Sequence, residues 1–399
     1  MNIDPYPEDA KFTGDKALSF LWKTGGDEWL DPLDLPAPAS RRVGSARSPV
    51  ILDAVQEAEG LNRWISYSRN HNFYPGKKRY QGPNYAYSTV PPTVDELALL
   101  GLFEHVKAPQ GPDVGWQSIF RATPALIEAV TMPLIRYRPA ELVVLKDAKK
   151  RLLDYKNTER TCRMRRKLEE INEAIQSISL DIDAPGQERD GNVIRFPKTA
   201  PEKQGQPVAY LAQNTLYRVF NRGWNLGGRF YGHGVQNIPK IYRPYITMDG
   251  KATVEEDYEQ LHPRLLYDMA GKPLDGDAYT LDGWDRDLCK VAFNVLLNAD
   301  NNKAALGAVA DEIGGQGSRQ KAVKLIAAIK QRHTPVEHYF NSGIGRELQN
   351  LDSRIAENVM LLLRKQGIVS LPIHDSFIVP ANDQGVLLEA MDAAFQAQK

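Results

Sequence analysis

Apolar positions change their rhythm twice along the 399-residue chain. Up to residue 139 they come in short runs without a steady period, cut by turn clusters such as Tyr74-Pro75-Gly76 and Pro109-Gln110-Gly111-Pro112. After Pro139, the stretch AELVVLKDAKKRLLDYKNTERTCRMRRKLEEINEAIQSISL keeps leucines at helical spacing and contains neither glycine nor proline. That pattern predicts one long helix or a helical hairpin. Residues 181–206 are polar and rich in proline and glycine, which predicts a linker or a long surface loop.

Beyond the linker the pattern predicts a helix over VAYLAQNTLYRVFNRGWN, a glycine-punctuated turn region at GGRFYGHG, and a strand running into a helix over KATVEEDYEQLHPRLLYDMAG. Pro263 fits that helix only in its first turn, so the helix is expected to start near Glu259 or Gln260. Helices follow at 286–299, 318–333 and 346–366, the last stopped by Gly367. IVSLPIHDSFIVP holds two apolar runs flanking His374-Asp375, the pattern of a β-hairpin with the acid at its tip. A helix over 387–396 closes the chain.

Composition narrows the class without naming a function. With 42% hydrophobic and 25% charged residues, the chain has the make-up of a soluble globular protein. Fifty basic residues balance fifty acidic ones, so a polyanionic partner has to be argued from local charge. Such an excess exists between Lys146 and Lys167, with ten Lys or Arg against three acids; it would track a phosphate backbone or form a solvated helix face. Two cysteines and no zinc-ligand spacing point to a reduced compartment without a structural metal, and the cytoplasm is the expected location. The N-terminus has no secretory pattern, and no run of 18 apolar residues occurs.

Two aspartates end or interrupt apolar strands: Asp257 after Lys251-Ala252-Thr253-Val254, and Asp375 between Ile373 and Phe377. A single Asp in such a place is usually a cap or turn former. A pair brought together from two strands is what two magnesium ions need, because this hard cation takes a few protein oxygens and fills its remaining positions with phosphate and water. The reaction implied is phosphoryl or nucleotidyl transfer. In DRDLCKVAFNVLLNA, Arg286, Lys290, Asn294 and Asn298 recur every four residues and share one helix face. Such a face lines a nucleoside triphosphate or belongs to an ordinary amphipathic helix.

The order of these pieces carries a resemblance. Gly228-Arg229, Gln236-Asn237-Ile238-Pro239, Arg243, Asp257-Tyr258-Glu259-Gln260 and Arg264 resemble the run TGR, QNIP, R, DYSQxxxR of family A DNA polymerases, the DNA polymerase I type. Asp277-Ala278-Tyr279 is similar to the D-x-H before their fingers helix, Arg286 with Lys290 to its R-x3-K, and Ile373-His374-Asp375 to their V-H-D hairpin. Gln349 falls where the family has a glutamine near the primer end. The resemblance covers residues 213–380.

The resemblance implies an α+β right-hand polymerase: a small antiparallel palm sheet, helical fingers at about 276–345 within a palm-and-fingers domain at 207–399, and a basic helical thumb and linker at 140–206. Residues 1–139 are left as an accessory domain of unassigned role. Asp257 and Asp375 would hold two Mg2+ ions, or Mn2+ in their place, with the Tyr258 carbonyl as a further ligand. Arg286, Lys290, Asn294, Asn298, Gln260 and His262 would line the incoming nucleotide. Arg229, Gln236, Asn237, Arg243, Gln349 and His374 would touch the primer-template. The expected partners are primer-template DNA and dNTPs, with rNTPs as an alternative, and the expected state is a monomer working without a membrane, alone or with other replication proteins.

Departures keep alternatives open. Where the family's fingers helix has aromatic residues, this chain has Asn294, Asn298 and Ala299, with Phe293 one residue off as a possible substitute. His262 stands where DNA polymerases have the glutamate that excludes ribose, and His374-Asp375-Ser376-Phe377 is similar to the HDSF of single-subunit RNA polymerases. No carboxylate set for a proofreading exonuclease is found. The expected activity is a compact primer-extending DNA polymerase, the alternatives a primase or RNA polymerase of the same superfamily and a degenerate palm that binds primer-template during initiation.

Overall fold

The computed structural model describes residue 7 and residues 16–108, 117–131, 136–198 and 206–398. Helices alternate with several small, mostly antiparallel sheets, a mixed α/β chain compatible with the α+β class expected. Two compact units divide the chain: Met1–Val144, Arg151–Tyr217 and Tyr231–Thr253 form the first, and Leu145–Lys150, Arg218–Phe230 and Val254–Lys399 the second. These boundaries fall elsewhere than residues 139 and 206.

In the first unit, β1 (Lys16–Ala17), β2 (Ile65–Tyr67), β3 (Phe103–Val106) and β4 (Ser118–Ala122) form a sheet in the order β1-β2-β4-β3. β1 is parallel to β2 and the other pairs are antiparallel. Helix α1 (Arg41–Glu59) starts at Ser40, whose hydroxyl accepts the Val43 N–H at 3.2 Å. It packs Val50, Ile51 and Ala54 with Phe120 of β4 and with Val94 and Leu97 of α2 (Val90–Leu99) in one buried core.

The glycine-free stretch after Pro139 is helical only at α3 (Glu159–Gln176), correcting the long helix expected. Val143–Lys146 is a strand, as its two buried valines favour. Residues 147–157 are held out of helix in part because Arg79 donates to Asp154 at 2.7 Å and to the Tyr155 carbonyl at 2.6 Å. Part of the basic excess is also used internally: Arg165 and Arg79 converge on buried Glu141 at 2.8 and 3.2 Å, and Arg163 pairs with Glu159 at 2.7 Å.

The expected linker contains short strands. β5 (Glu188–Asp190), β6 (Val193–Arg195) and β7 (Val208–Tyr210) pair antiparallel, with Ile194 and Phe196 fully buried; residues 199–205 lie outside the described residues. The helix expected over 208–225 is instead β7 and β8 (Asn214–Asn221), because Leu216, Arg218 and Phe220 are buried at a period of two. GGRFYGH is a strand, β9 (Gly227–His233), whose glycines at 227, 228 and 232 take positive φ. β10 (Ile246–Met248) lies between Leu180–Ile182 and the first residues of β11 (Lys251–Asp257).

In the second unit, α4 (Leu261–Met269) follows β11 with Gln260 as its N-terminal cap, within a residue of the start that Pro263 predicts. α5 (Arg286–Asn298), α6 (Asn302–Ile313), α7 (Ser318–Arg332) and α8 (Gly345–Lys365) come next; α6 was not foreseen and is capped by Asn301, which accepts the Ala304 N–H at 2.9 Å. β12 (Leu371–Ile373) and β13 (Ser376–Pro380) form the expected hairpin, and β13 also pairs with β11. Gly367 ends α8 with φ +74°, and α9 (Gln384–Gln396) closes the unit.

Candidate active site

The hairpin places Asp375 in a two-residue turn with His374, whose φ of +62° lets Ile373 pair directly with Ser376. Asp257 is the last residue of β11, and the next peptide closes the gap: Tyr258 N–H donates to the Asp375 carbonyl at 3.2 Å. The two sequence-predicted aspartates therefore sit at the same end of neighbouring strands. Tyr258 anchors this junction. Its buried ring lies edge-on to Phe377, and its hydroxyl donates to the Met391 carbonyl of α9 at 2.5 Å. Glu255, two residues before Asp257 on β11, accepts the Ser376 hydroxyl at 2.6 Å and clamps the hairpin base.

Asp257 is exposed and Asp375 half-buried. Among the described residues the Asp375 carboxylate has no hydrogen-bond or ion-pair partner. The donor set at this edge is all oxygen, two carboxylates with the Tyr258 carbonyl adjoining them, and such a set suits Mg2+ or Mn2+ rather than a soft metal. No three His, Cys, Asp or Glu side chains converge as a cage among the described residues. A site completed by substrate phosphates does not require one.

The cationic helix reaches this edge through a short relay. The Gln260 side-chain oxygen accepts the Ala278 N–H at 2.6 Å, tying the end of the Asp257 motif to the loop before α5. In that loop Asp277 accepts the Tyr279 N–H at 2.9 Å and Arg286 Nε at 2.5 Å, and the Arg286 guanidinium lies 5.5 Å from the Tyr279 ring centroid. Tyr279 is pushed up to about 12, first by burial and then by the negative charges of Asp277 and Asp375, with Arg286 opposing them. Arg286, Lys290 and Asn298 are exposed and Asn294 half-buried, so the expected polar stripe is the solvent face of α5. Phe293 does not belong to it. It is fully buried against Tyr279, His333 and Phe340, which corrects the suggestion that its ring could stand in for a missing fingers aromatic.

A second group forms around Asp352 of α8, which is buried. It accepts Arg229 Nε at 3.0 Å and Nη2 at 2.5 Å, and lies 3.0 Å from His262 Nε2. Gln349, half-buried, is one turn earlier on α8. Arg229 and His262, widely separated in sequence, are brought together here by a carboxylate that the sequence does not single out, whereas Gln349 is placed near them only by its position on α8. The remaining predicted contacts belong to the first unit: Arg243 donates to the Ile238 carbonyl at 3.0 Å, Gln236 is half-buried and Asn237 exposed.

Reading the sequence also missed His333. Fully buried, it lies 3.0 Å from the Tyr267 hydroxyl of α4 and 2.8 Å from the Ala278 carbonyl, so it locks the end of α7 to the loop that carries Asp277. Burial lowers its pKa. A histidine at a helix end gives no signal of this kind. A cleft of about 1000 Å³ in the first unit, between α3 and residues 137–142, contains none of the predicted site residues.

No protein-family model matches the chain, and no curated protein matches it.

Proposed function

We propose that the chain is a template-directed nucleotidyltransferase, a compact DNA-dependent DNA polymerase that extends a primer without a proofreading exonuclease. The observation that carries this reading is the 3.2 Å bond from Tyr258 N–H to the Asp375 carbonyl, which joins two acidic motifs from distant parts of the chain. Arg286, held by Asp277 and lying 5.5 Å from the Tyr279 ring centroid, supports it. The right-hand architecture belongs to the proposal: β11 to β13 as palm, α5 to α7 as fingers, and the basic α3 as thumb.

In this reading Asp257 and Asp375 hold two divalent cations through their carboxylates, with the Tyr258 carbonyl as a further ligand. When bound, such ions make the primer 3′-hydroxyl a better nucleophile and offset charge on the triphosphate. Arg286 and Lys290 neutralise the pyrophosphate as it leaves, their fixed positions costing no reorganisation. Asp277 holds Arg286, and Gln260 ties the loop carrying Asp277 to the end of the Asp257 motif through the Ala278 N–H. Sequence specificity comes from base pairing, since contacts to backbone and groove position without reading bases.

The test is extension of a labelled primer-template with Mg2+ and dNTPs or rNTPs in parallel. Extension with dNTPs, lost on chelation, supports the reading. Asp257→Ala and Asp375→Ala should each abolish incorporation and leave duplex affinity nearly intact; normal incorporation by either variant removes the two-metal assignment. A primase or RNA polymerase of the same superfamily is favoured by one observation: His262, where a ribose-excluding carboxylate is expected, is bound to Asp352. Product from bare template and rNTPs would select it. Duplex binding without any product would select a degenerate palm.

A further inference from the structure

Between Gly60 and Asp95 the chain carries no acidic residue, five Lys or Arg and seven aromatic residues. The structure separates these into supports and a free face. Arg63, Arg69 and Arg79 are used internally, on Glu57, Asp95 and Glu141. Lys77 and Lys78 have no ion-pair partner among the described residues. Tyr74 and Tyr85 are buried in the core of the first unit and form a floor, their ring centroids 5.5 Å apart. On this floor stand the rings that reach solvent. Phe73 is edge-on to Tyr74 at 5.4 Å, Tyr87 to Tyr74 at 6.2 Å, and His71 to Tyr87 at 5.5 Å. Tyr87 is 42% exposed, so much of its ring remains uncovered.

The face is rigid. Arg69 grips Asp95 with two 2.8 Å bonds, the Tyr74 hydroxyl donates to the Ser68 carbonyl, and Asn70 caps the single turn His71–Phe73 by accepting the Asn72 N–H at 2.9 Å. Lys77 Nζ lies 2.9 Å from the centroid of the Phe73 ring. Burial pushes this ammonium down to about 8, so a phosphate that paired with it would recover charge the protein alone does not stabilise. We propose that His71, Phe73 and Tyr87, with Lys77 and Lys78, form a binding surface for single-stranded nucleic acid on the first unit. Base faces would stack on the exposed Tyr87 and His71 rings while the ammonium groups take the phosphates, with Phe73 holding Lys77 in place. Every base has a π-face, so the surface would be tolerant of sequence. A duplex hides its base faces and could use only the lysines. The absence of acids from residues 61–94 favours a polyanion over an acidic-and-basic protein surface.

This surface is independent of the polymerase reading, because it is tested by binding alone. The full-length protein is titrated with a fluorescent oligothymidylate of about 20 nucleotides, long enough to cover one such site. Tyr87→Ala should weaken binding roughly tenfold, Tyr87→Phe should leave it unchanged, and Lys78→Ala should reduce the dependence of log K on log salt by about one. Duplex of the same length should show the lysine effect and no Tyr87 effect. An oligouridylate tells the strand type: tighter thymidylate points to DNA, tighter uridylate to RNA, and both fit the surface proposed. Iododeoxyuridine substituted into the strand should photocrosslink to residues 68–89. Unchanged oligothymidylate affinity in Tyr87→Ala, an equal Tyr87 effect on duplex, or crosslinks confined to other segments would each overturn the proposal. Primer extension failing while these effects hold would remove the polymerase reading alone.

Discussion

Arg218 should be among the costliest residues to replace in the second unit, although it touches neither aspartate. Its side chain is 3% exposed and its partner Glu357 9%. The guanidinium donates to Glu357 at 3.1 Å, to the Ser353 hydroxyl at 2.9 Å and to the Gly228 carbonyl at 2.7 Å, and lies 5.0 Å from the centroids of both the Phe220 and Phe230 rings. Arg218→Met keeps most of the stem volume and removes all three bonds, taking from the Glu357 carboxylate the buried cation it pairs with. Breaking one side of a buried pair costs about 3–5 kcal/mol. Three charge-assisted bonds at about 1.5–3 kcal/mol each would sum to more, but water reaches Glu357 at its open edge, so the lower range governs. The expected fall in unfolding midpoint is roughly 10 °C for a unit of this size. Urea unfolding followed by circular dichroism measures the loss, and the double variant Arg218→Met with Glu357→Met should recover most of it because no orphan charge remains. A single-variant loss under about 1 kcal/mol, or a double variant as unstable as the sum of its parts, would refute the argument.

Gly228→Ala should destabilise the same unit by about 1–3 kcal/mol in urea unfolding, because φ is +94° and a Cβ would lie 2.7 Å from the Phe220 ring; wild-type stability would show that the strand relaxes. His233, buried and accepting the Val235 N–H on Nδ1 at 3.2 Å, has its pKa lowered to about 4 by burial. The unfolded chain therefore takes up a proton at higher pH than the folded one. The stability this residue contributes is full above pH 6.5 and is lost as pH falls from 6.5 to about 4. His233→Asn should flatten the stability–pH slope in that window, and an unchanged slope would contradict the assignment. His262→Glu and His262→Gly should shift the ratio of dNTP to rNTP incorporation in opposite senses in single-nucleotide kinetics; a constant ratio would remove His262 from sugar selection.

The second unit was the more legible part of the sequence. Pro263 marks the start of α4, Gly367 the end of α8, and His374-Asp375 the hairpin tip, each because one residue type restricts the backbone locally. Other strands were hidden for the opposite reason. β8 alternates Leu216, Arg218 and Phe220 inward, and a buried arginine disguises a period of two as a polar break. At 140–158 the lack of glycine and proline was read as helix, yet contacts from Arg79, distant in sequence, decide the conformation. The same holds for the candidate site. Asp257 and Asp375 could be named from strand ends, whereas Asp352 sits inside α8 and His333 at the end of α7, and only the tertiary fold turns them toward Arg229, His262 and Ala278.

The bond between Tyr258 N–H and the Asp375 carbonyl has a topological consequence. It makes the chain from 258 to 374 a closed excursion that leaves one strand edge and returns beside its starting point. Changes of length at the outer bends, such as Gly314–Gly317 between α6 and α7, need not move the feet of the loop. The reach of the helices can thus be retuned while the strand ends that carry Asp257 and Asp375 stay fixed.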